Sequence, residues 1–256
     1  MDEQIKPTDY VQSLERGLAV IKSFGTGRPE KTLTEVAALT GLTRAGARRL
    51  LLTLQHLGHV RSDGKYYRLG PRVLDLGFAY LSAQPWWQSA EPFMEEVVAA
   101  LGESCSAAVL DGDDIVYVLR IPASRIMTIN LSIGARLPAY ATSLGRVLLA
   151  AEDESRARQL LESADRRALT VHTVTETDRL MDILDQVRRQ GYCIVDQELE
   201  IGLRSVSVPL QARTGQVIAA LNVSLHATRA DAEEIATGFV PVLQQAAAQI
   251  SRNMTR

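Results

Sequence analysis

Cysteine is scarce, aromatic residues are few, and no long apolar run occurs; each scarcity excludes a class of protein. Two cysteines in 256 residues, Cys105 and Cys193, cannot build a disulfide scaffold, and their separation matches no zinc-ligand spacing. They fit a reducing, cytoplasmic compartment. No stretch approaches the ~18 consecutive apolar residues of a membrane span, and the opening MDEQIKP lacks the apolar core of a secretory signal. G-x-S-x-G, Walker A, H-E-x-x-H and G-x-G-x-x-G motifs are all missing. The four histidines, His56, His59, His172 and His226, stand in no spacing that pairs them with a cysteine as base and nucleophile. The expectation is therefore no enzyme, no cofactor and no metal site. With 46% hydrophobic and 23% charged residues, the chain has the composition of a folded globular protein.

The net charge of −2 hides an asymmetry. Residues 1–83 carry twelve basic and eight acidic side chains, and the remainder sixteen and twenty-two. Between residues 40 and 72, Arg44, Arg48, Arg49, Arg61, Lys65, Arg68 and Arg72 face a single acid, Asp63. A basic third on an acidic remainder points to a nucleic-acid module joined to a solvating domain, or simply to a solvated basic surface.

Local patterns in that third predict three helices and a hairpin. Ser13 is placed to cap a helix from Leu14 to Phe24, with Leu14, Leu18 and Ile21 on one face. A second spans Thr34–Leu39, with Val36, Ala37 and Leu39 available for burial, and Gly41 ends it. Thr43 is a good N-cap for a third, closed by Gly58. Helix, tight turn and helix is the helix-turn-helix pattern. In the third helix Ala47, Leu50, Leu54 and Leu57 form one stripe, and Arg44, Ala45, Arg48, Arg49, Leu52 and Gln55 lie opposite. Small Ala45 and Gly46 would let its start approach a groove, and Leu52 is left exposed. HVRSDGKYYRL then reads as a hairpin turning at Asp63-Gly64. As a wing, it would offer Arg61, Lys65 and Arg68 to phosphates or a minor groove. An apolar helix follows Pro71 until Gln84-Pro85, too apolar to be a solvated linker. Domain limits are expected at 10–70, 71–84 and 85–256.

Downstream, a helix over Glu91–Leu101 precedes strand-like runs CSAAVL, IVYVLRI, CIVD, RSVSVPLQA and QVIAALNVSL. Helices are expected at Leu144–Ala151, Glu154–Glu162 and Asp178–Gln190. Hairpins mixed with helices predict an α+β domain with an antiparallel sheet. Alternation puts Asn222 and Ser224 on one face of their strand, as it does Ser205 and Ser207. These four form either a ligand-binding polar patch or a solvent-facing surface. Thr142 or Ser143 is placed to cap the next helix, whose free N–H groups suit a small carboxylate. Ile126, Met127, Ile129, Leu131 and Leu137 are candidates for an apolar wall.

LERGLAVIKSF, LTEVAALTGLTRAGARRLLLTLQHLGHV and YYRLGPRVLDLG resemble the winged N-terminal domain of IclR-type transcriptional regulators. LPAYATSLGRVLLA, GYCIVDQELEIGLRSVSVPL and GQVIAALNVSLHA are similar to that family's GAF-like effector domain, so the resemblance runs from Tyr10 to Met254. DGDDIVYVLRI, RIMTIN, YATSLGR and VDQELEIGLRS look most like the branch controlling aromatic-acid catabolism, which answers to protocatechuate, para-hydroxybenzoate or β-ketoadipate. The resemblance implies a bacterial regulator whose operator binding responds to a small carboxylic acid. It implies dimers formed through the winged domains, and often dimers of dimers. DNA contacts fall on Thr43, Arg44, Ala45, Arg48, Arg49, Arg61, Lys65 and Arg68. Effector contacts fall on Ser143, Leu144, Asp196, Ser205, Asn222, Ser224 and Met127. Relatives that bind short keto acids place an Asp where this chain has Val195, with Asp196 next to it, and a Cys where it has Ser205; both changes favour a different, larger ligand. The competing reading is a GAF-like sensor or enzyme with a vestigial winged domain.

Overall fold

The computed structural model describes residues 5, 6, 8–25, 27–84, 86–123 and 132–254, which fall into two compact units, 1–83 and 84–256. The first unit contains α1 (Gln12–Ser23), β1 (Lys31–Thr32), α2 (Leu33–Thr40), α3 (Arg44–His56), β2 (Val60–Ser62), β3 (Tyr66–Leu69) and α4 (Val73–Ser82). Its strands order β1-β3-β2, all antiparallel. The core is Val20, Phe24, Val36, Ala37, Ala47, Leu51, Leu54 and Val60.

Capping follows local chemistry. Thr32 opens α2 by a reciprocal box: its hydroxyl accepts from the Glu35 N–H, and the Glu35 carboxylate accepts from the Thr32 N–H at 2.6 Å. Thr43 accepts from the Gly46 N–H at 3.1 Å and opens α3.

Several expectations shift. Ser13 does not cap α1, which starts at Gln12 after Val11 with no side-chain cap. Leu14 and Leu18 face solvent, because Val20 and Phe24 supply the inward face. Leu39 is exposed, on the side of α2 away from Val36 and Ala37. In α3 the buried stripe is Ala47, Leu51 and Leu54, whereas Leu57, beyond the last turn, is half-exposed. β1 is too short to leave a periodic signal. No residue of α4 is buried, and Leu74 is 74% exposed.

The second unit is a six-stranded antiparallel sheet of order β6-β5-β4-β9-β8-β7. Its strands are β4 (Cys105–Asp111), β5 (Asp114–Ile121), β6 (Arg136–Pro138), β7 (Cys193–Asp196), β8 (Leu203–Gln211) and β9 (Val217–His226). Val206, Val208, Leu221, Val223 and Leu225 are fully buried on one face. Helices α5 (Trp87–Leu101) and α9 (Val240–Asn253) pack on that side. The other face carries α6 (Ser143–Ala151), α7 (Glu154–Ser163) and α8 (Thr177–Gln190) over a core that includes Tyr117, Leu144, Leu161, Leu184 and Val195. α5 begins before the expected Glu91, since Pro92 removes only one bond from the ladder. α9 leaves a weak signal in the sequence because a π-helical stretch, Ile235–Phe239, breaks the helical period before it.

Two features set the start of α6. The first is Gly145: a Cβ there would lie 2.2 Å from the Ala139 carbonyl oxygen, so glycine lets the 3₁₀ turn Ala139–Ala141 lie against the helix. The second is Arg146, which is 2% exposed. Its Nη1 and Nη2 donate to the two Glu198 carboxylate oxygens, both at 2.6 Å, and its Nε donates to the Tyr140 carbonyl at 2.8 Å. Glu198 Oε2 also accepts from the Val174 N–H at 2.8 Å. Truncating one member of such a pair strands the other as a buried charge. Arg146→Met should therefore lower the unfolding free energy by about 3–5 kcal/mol in urea titration. Adding Glu198→Leu should recover part of it, the rest reflecting the orphaned Tyr140 carbonyl and Val174 N–H. A loss below about 1 kcal/mol in the single variant would contradict this role.

Candidate DNA-binding and effector sites

Thr43, Arg44, Ala45, Arg48 and Arg49 are all exposed along the first turns of α3, away from its buried stripe. On the hairpin, Arg61 and Arg68 stand directly opposite each other and therefore on one face. Like charges in that register repel; Glu30, 3.2 Å from Arg68, offsets the repulsion at one edge. Lys65 is exposed, with its Nζ 5.0 Å from the Tyr66 ring centre. The one acid of this segment is occupied by the turn: Asp63 Oδ1 accepts from the Lys65 and Tyr66 N–H groups at 2.9 and 2.8 Å, which holds its carboxyl below the usual range. Arg72 is structural, donating to the Leu57 carbonyl at the end of α3.

The second unit holds a cavity between the sheet and the start of α6. It is lined by Ser104, Tyr117, Arg120, Thr142, Ser143, Leu144, Val195, Leu199, Leu203, Ser205, Asn222 and Ser224, with Ala141. The space is about 550 Å³ including its open mouth.

Strand register builds the floor. Arg120, Ser106, Asn222 and Ser207 pair successively across β5, β4, β9 and β8 as one transverse row. Ser224, Ser205 and Val195 form a second row across β9, β8 and β7. Ser143 Oγ reaches down to Ser205 Oγ at 2.9 Å and Ser207 Oγ at 2.6 Å, fixing the start of α6 above the floor. Thr142 caps α6 by accepting from the Gly145 N–H. Helix geometry leaves the N–H groups of Ser143 and Leu144 without intrahelical acceptors.

Ser143, Leu144, Ser205, Asn222 and Ser224 thus meet at one cavity, and Asp196 does not. β7 alternates, so Val195 takes the cavity face and Asp196 the outer one. There Arg204 donates to both Asp196 carboxylate oxygens, at 2.9 and 2.7 Å, and holds the carboxyl below the usual range. Met127, with Ile126, Ile129 and Leu131, lies outside the described residues. Leu137 packs against the α6–α8 core.

Sequence reading missed Arg120 and Tyr117. They are three apart, which in a regular strand means opposite faces. An irregularity in the β4–β5 register between Ala107 and Ala108 brings both to the cavity side, opposite Ser106 and Ala108. A lone arginine inside IVYVLRI was the one available signal.

An exposed basic helix-turn-helix with a wing, and a separate domain whose polar cavity sits at a helix start, define a ligand-responsive DNA-binding regulator. Residues 13–64 match the IclR helix-turn-helix domain, and residues 78–252 match the bacterial transcriptional regulator IclR C-terminal domain. The chain belongs to the IclR family of bacterial transcriptional regulators, and is a regulator rather than an enzyme. It is 44% identical to the Pca regulon regulatory protein of Pseudomonas putida, over 96% of this chain and 85% of that one. It is 34% identical to the p-hydroxybenzoate hydroxylase transcriptional activator of Acinetobacter baylyi, over 98% and 94% of the two chains. Among solved structures, an IclR homolog from Microbacterium hydrocarbonoxydans complexed with 4-hydroxybenzoate superposes with a TM-score of 0.83 at 26% identity, covering 94% of this chain and 98% of that one.

Both cysteines are buried, and burial pushes each thiol up to about 12. The thiolate is the reactive form, so at pH 8 neither should react with an aromatic disulfide reagent in the native protein. Both should react in 6 M guanidinium. Rapid native titration of even one thiol would show that the sheet opens locally.

Proposed function

We propose that the chain controls an operon for aromatic-acid catabolism, binding its operator through the first unit and sensing a small carboxylic acid in the cavity of the second. The observation that carries this reading is the cavity, where two rows of small polar side chains lie beneath a helix start with free N–H groups. That combination of few polar groups and a fixed positive dipole suits a carboxylate. The family and the 4-hydroxybenzoate held by the Microbacterium homolog support it. Ser143, Leu144, Ser205, Asn222 and Ser224 contact the effector, and Val195 replaces Asp196 in that role.

On DNA, α3 enters a major groove with Thr43, Arg44, Ala45, Arg48 and Arg49, and Arg61, Lys65 and Arg68 of the wing take phosphates or the minor groove. The domains divide at 10–70, 71–84 and 85–256. One winged module reads too few bases for genomic specificity, so the operator is a pseudo-palindrome read by a dimer. The exposed Leu14, Leu18, Leu52, Leu74 and Leu76 supply the apolar surface for that dimer.

If Arg48 reads a base, Arg48→Ala should weaken operator binding by about 1–3 kcal/mol while changing binding to random DNA far less. Gel-shift titration against both DNAs measures the difference, and equal affinities on the operator would remove Arg48 from the interface. Leu74→Glu should convert the dimer to monomer in light scattering at micromolar concentration. A wild-type monomer under those conditions, with and without DNA, contradicts the assembly.

A further inference from the structure

The end of α3 meets the start of α4 at a crossing of two glycines. The Gly70 N–H donates to the His59 carbonyl at 2.7 Å, one step beyond the β2–β3 ladder. A Cβ on Gly70 would lie 2.4 Å from the Gly58 carbonyl oxygen, so the two backbones touch there and only glycine fits. Arg72 closes the junction. Its Nη1 donates to the Leu57 carbonyl at 2.9 Å, at the end of α3 where helix geometry leaves carbonyls without intrahelical donors. Its side chain lies across Gly58, where a Cβ would come within 3.0 Å of Arg72 Cδ. α4 then begins at once, the Leu74 N–H donating to the Pro71 carbonyl at 2.9 Å.

No residue of α4 is buried, so packing within the unit does not hold this helix in one direction. The ties at its first turn do. At about 1.5 Å per residue, its ten residues span about 15 Å. A tilt of about 15° at the junction moves the far end by about 4 Å, more than the base-pair step of about 3.4 Å. The two helices have different tasks: α3 carries the arginines assigned to the operator, and α4 the exposed Leu74 and Leu76 of the dimer surface.

We propose that Gly70 and Arg72 are positioning residues, which fix the angle between α3 and α4 and with it the spacing of operator half-sites that the dimer accepts. The inference rests on the dimer proposed above and adds what sets its reach; neither residue touches a base. Two reading helices engage together only where the half-site spacing matches their separation, and a mismatched spacing loses the second contact.

Selection from a random duplex pool by the full wild-type chain yields the half-site and its preferred spacing. A gel-shift series then shortens and lengthens that spacing by one and two base pairs, beside a duplex carrying a single half-site. For wild type, a change of two base pairs should weaken binding about tenfold or more, toward the single half-site value. Gly70→Ala pushes the backbones apart with every charge kept, and Arg72→Met releases the Leu57 carbonyl. Each variant should bind the single half-site within about twofold of wild type, while its spacing series flattens to within about threefold or moves its optimum by a base pair or more. A mere loss of folded protein weakens every duplex in proportion and leaves the profile unchanged. Arg72→Met, an exposed position, decides the matter even where Gly70→Ala fails to fold. A folded variant of either kind that keeps the wild-type profile, or a wild type indifferent to spacing, overturns the assignment. Selection of a lone, unpaired half-site by wild type would instead overturn the dimeric reading of the operator.

Discussion

The second unit depends on one buried ion pair. Arg146 donates two short hydrogen bonds to Glu198 away from water. Each also holds backbone: Arg146 takes the Tyr140 carbonyl and Glu198 the Val174 N–H. Three segments distant in sequence, the turn before α6, the loop before α8 and the loop after β7, are joined at one point. The hydroxyls of Thr170 and Thr173 tighten the same junction by donating to the Gln197 and Glu198 carbonyls. Desolvating two charges is expensive, so a pair of this kind contributes geometry more than net stability. Here the geometry is that of the cavity: the pair fixes α6, whose first residues roof it, and the loop that carries Leu199 at its wall.

The sheet separates two tasks by alternation. Valine and leucine of β8 and β9 go to one side and close against α5 and α9. Serine and asparagine go to the other, where a fully apolar packing would leave no room for a polar ligand. Such a surface cannot simply be buried, because each small polar group needs a partner. Ser143 meets part of that need for Ser205 and Ser207, and among the described residues no donor meets Asn222 Oδ1.

In the first unit, the acid and one base of the basic segment serve the fold, and the remaining bases stay exposed. Asp63 is spent on the hairpin turn, and Arg72 on the end of α3. Arg44, Arg48, Arg49, Arg61, Lys65 and Arg68 remain exposed. The facing pair Arg61 and Arg68 is unfavourable in isolation, and Glu30 offsets it at one edge.

The winged module was legible in the sequence because its signals are local: Thr43 as a cap, the apolar spacing of α3, Asp63-Gly64 as a turn. The polar rows were legible as well, since a period of two needs only the strand itself. Small errors followed where locality fails. The stripe of α3 took in Leu51 as well as the partly buried Leu50 and left Leu57 exposed, because which neighbour is buried depends on what packs against it. Asp196 was placed in the cavity beside Val195, and one residue of parity put it on the outer face. Arg120 and Tyr117 could not be assigned at all, since an irregularity in the β4–β5 register brings two residues of opposite parity to one side. The pairing of Arg146 with Glu198 was equally invisible. What the sequence by itself determined was the elements, their amphipathic faces and the two-part organisation, all set by near neighbours. Only the tertiary structure decided which faces meet, because register, burial and ion pairing are settled between residues that lie tens of positions apart.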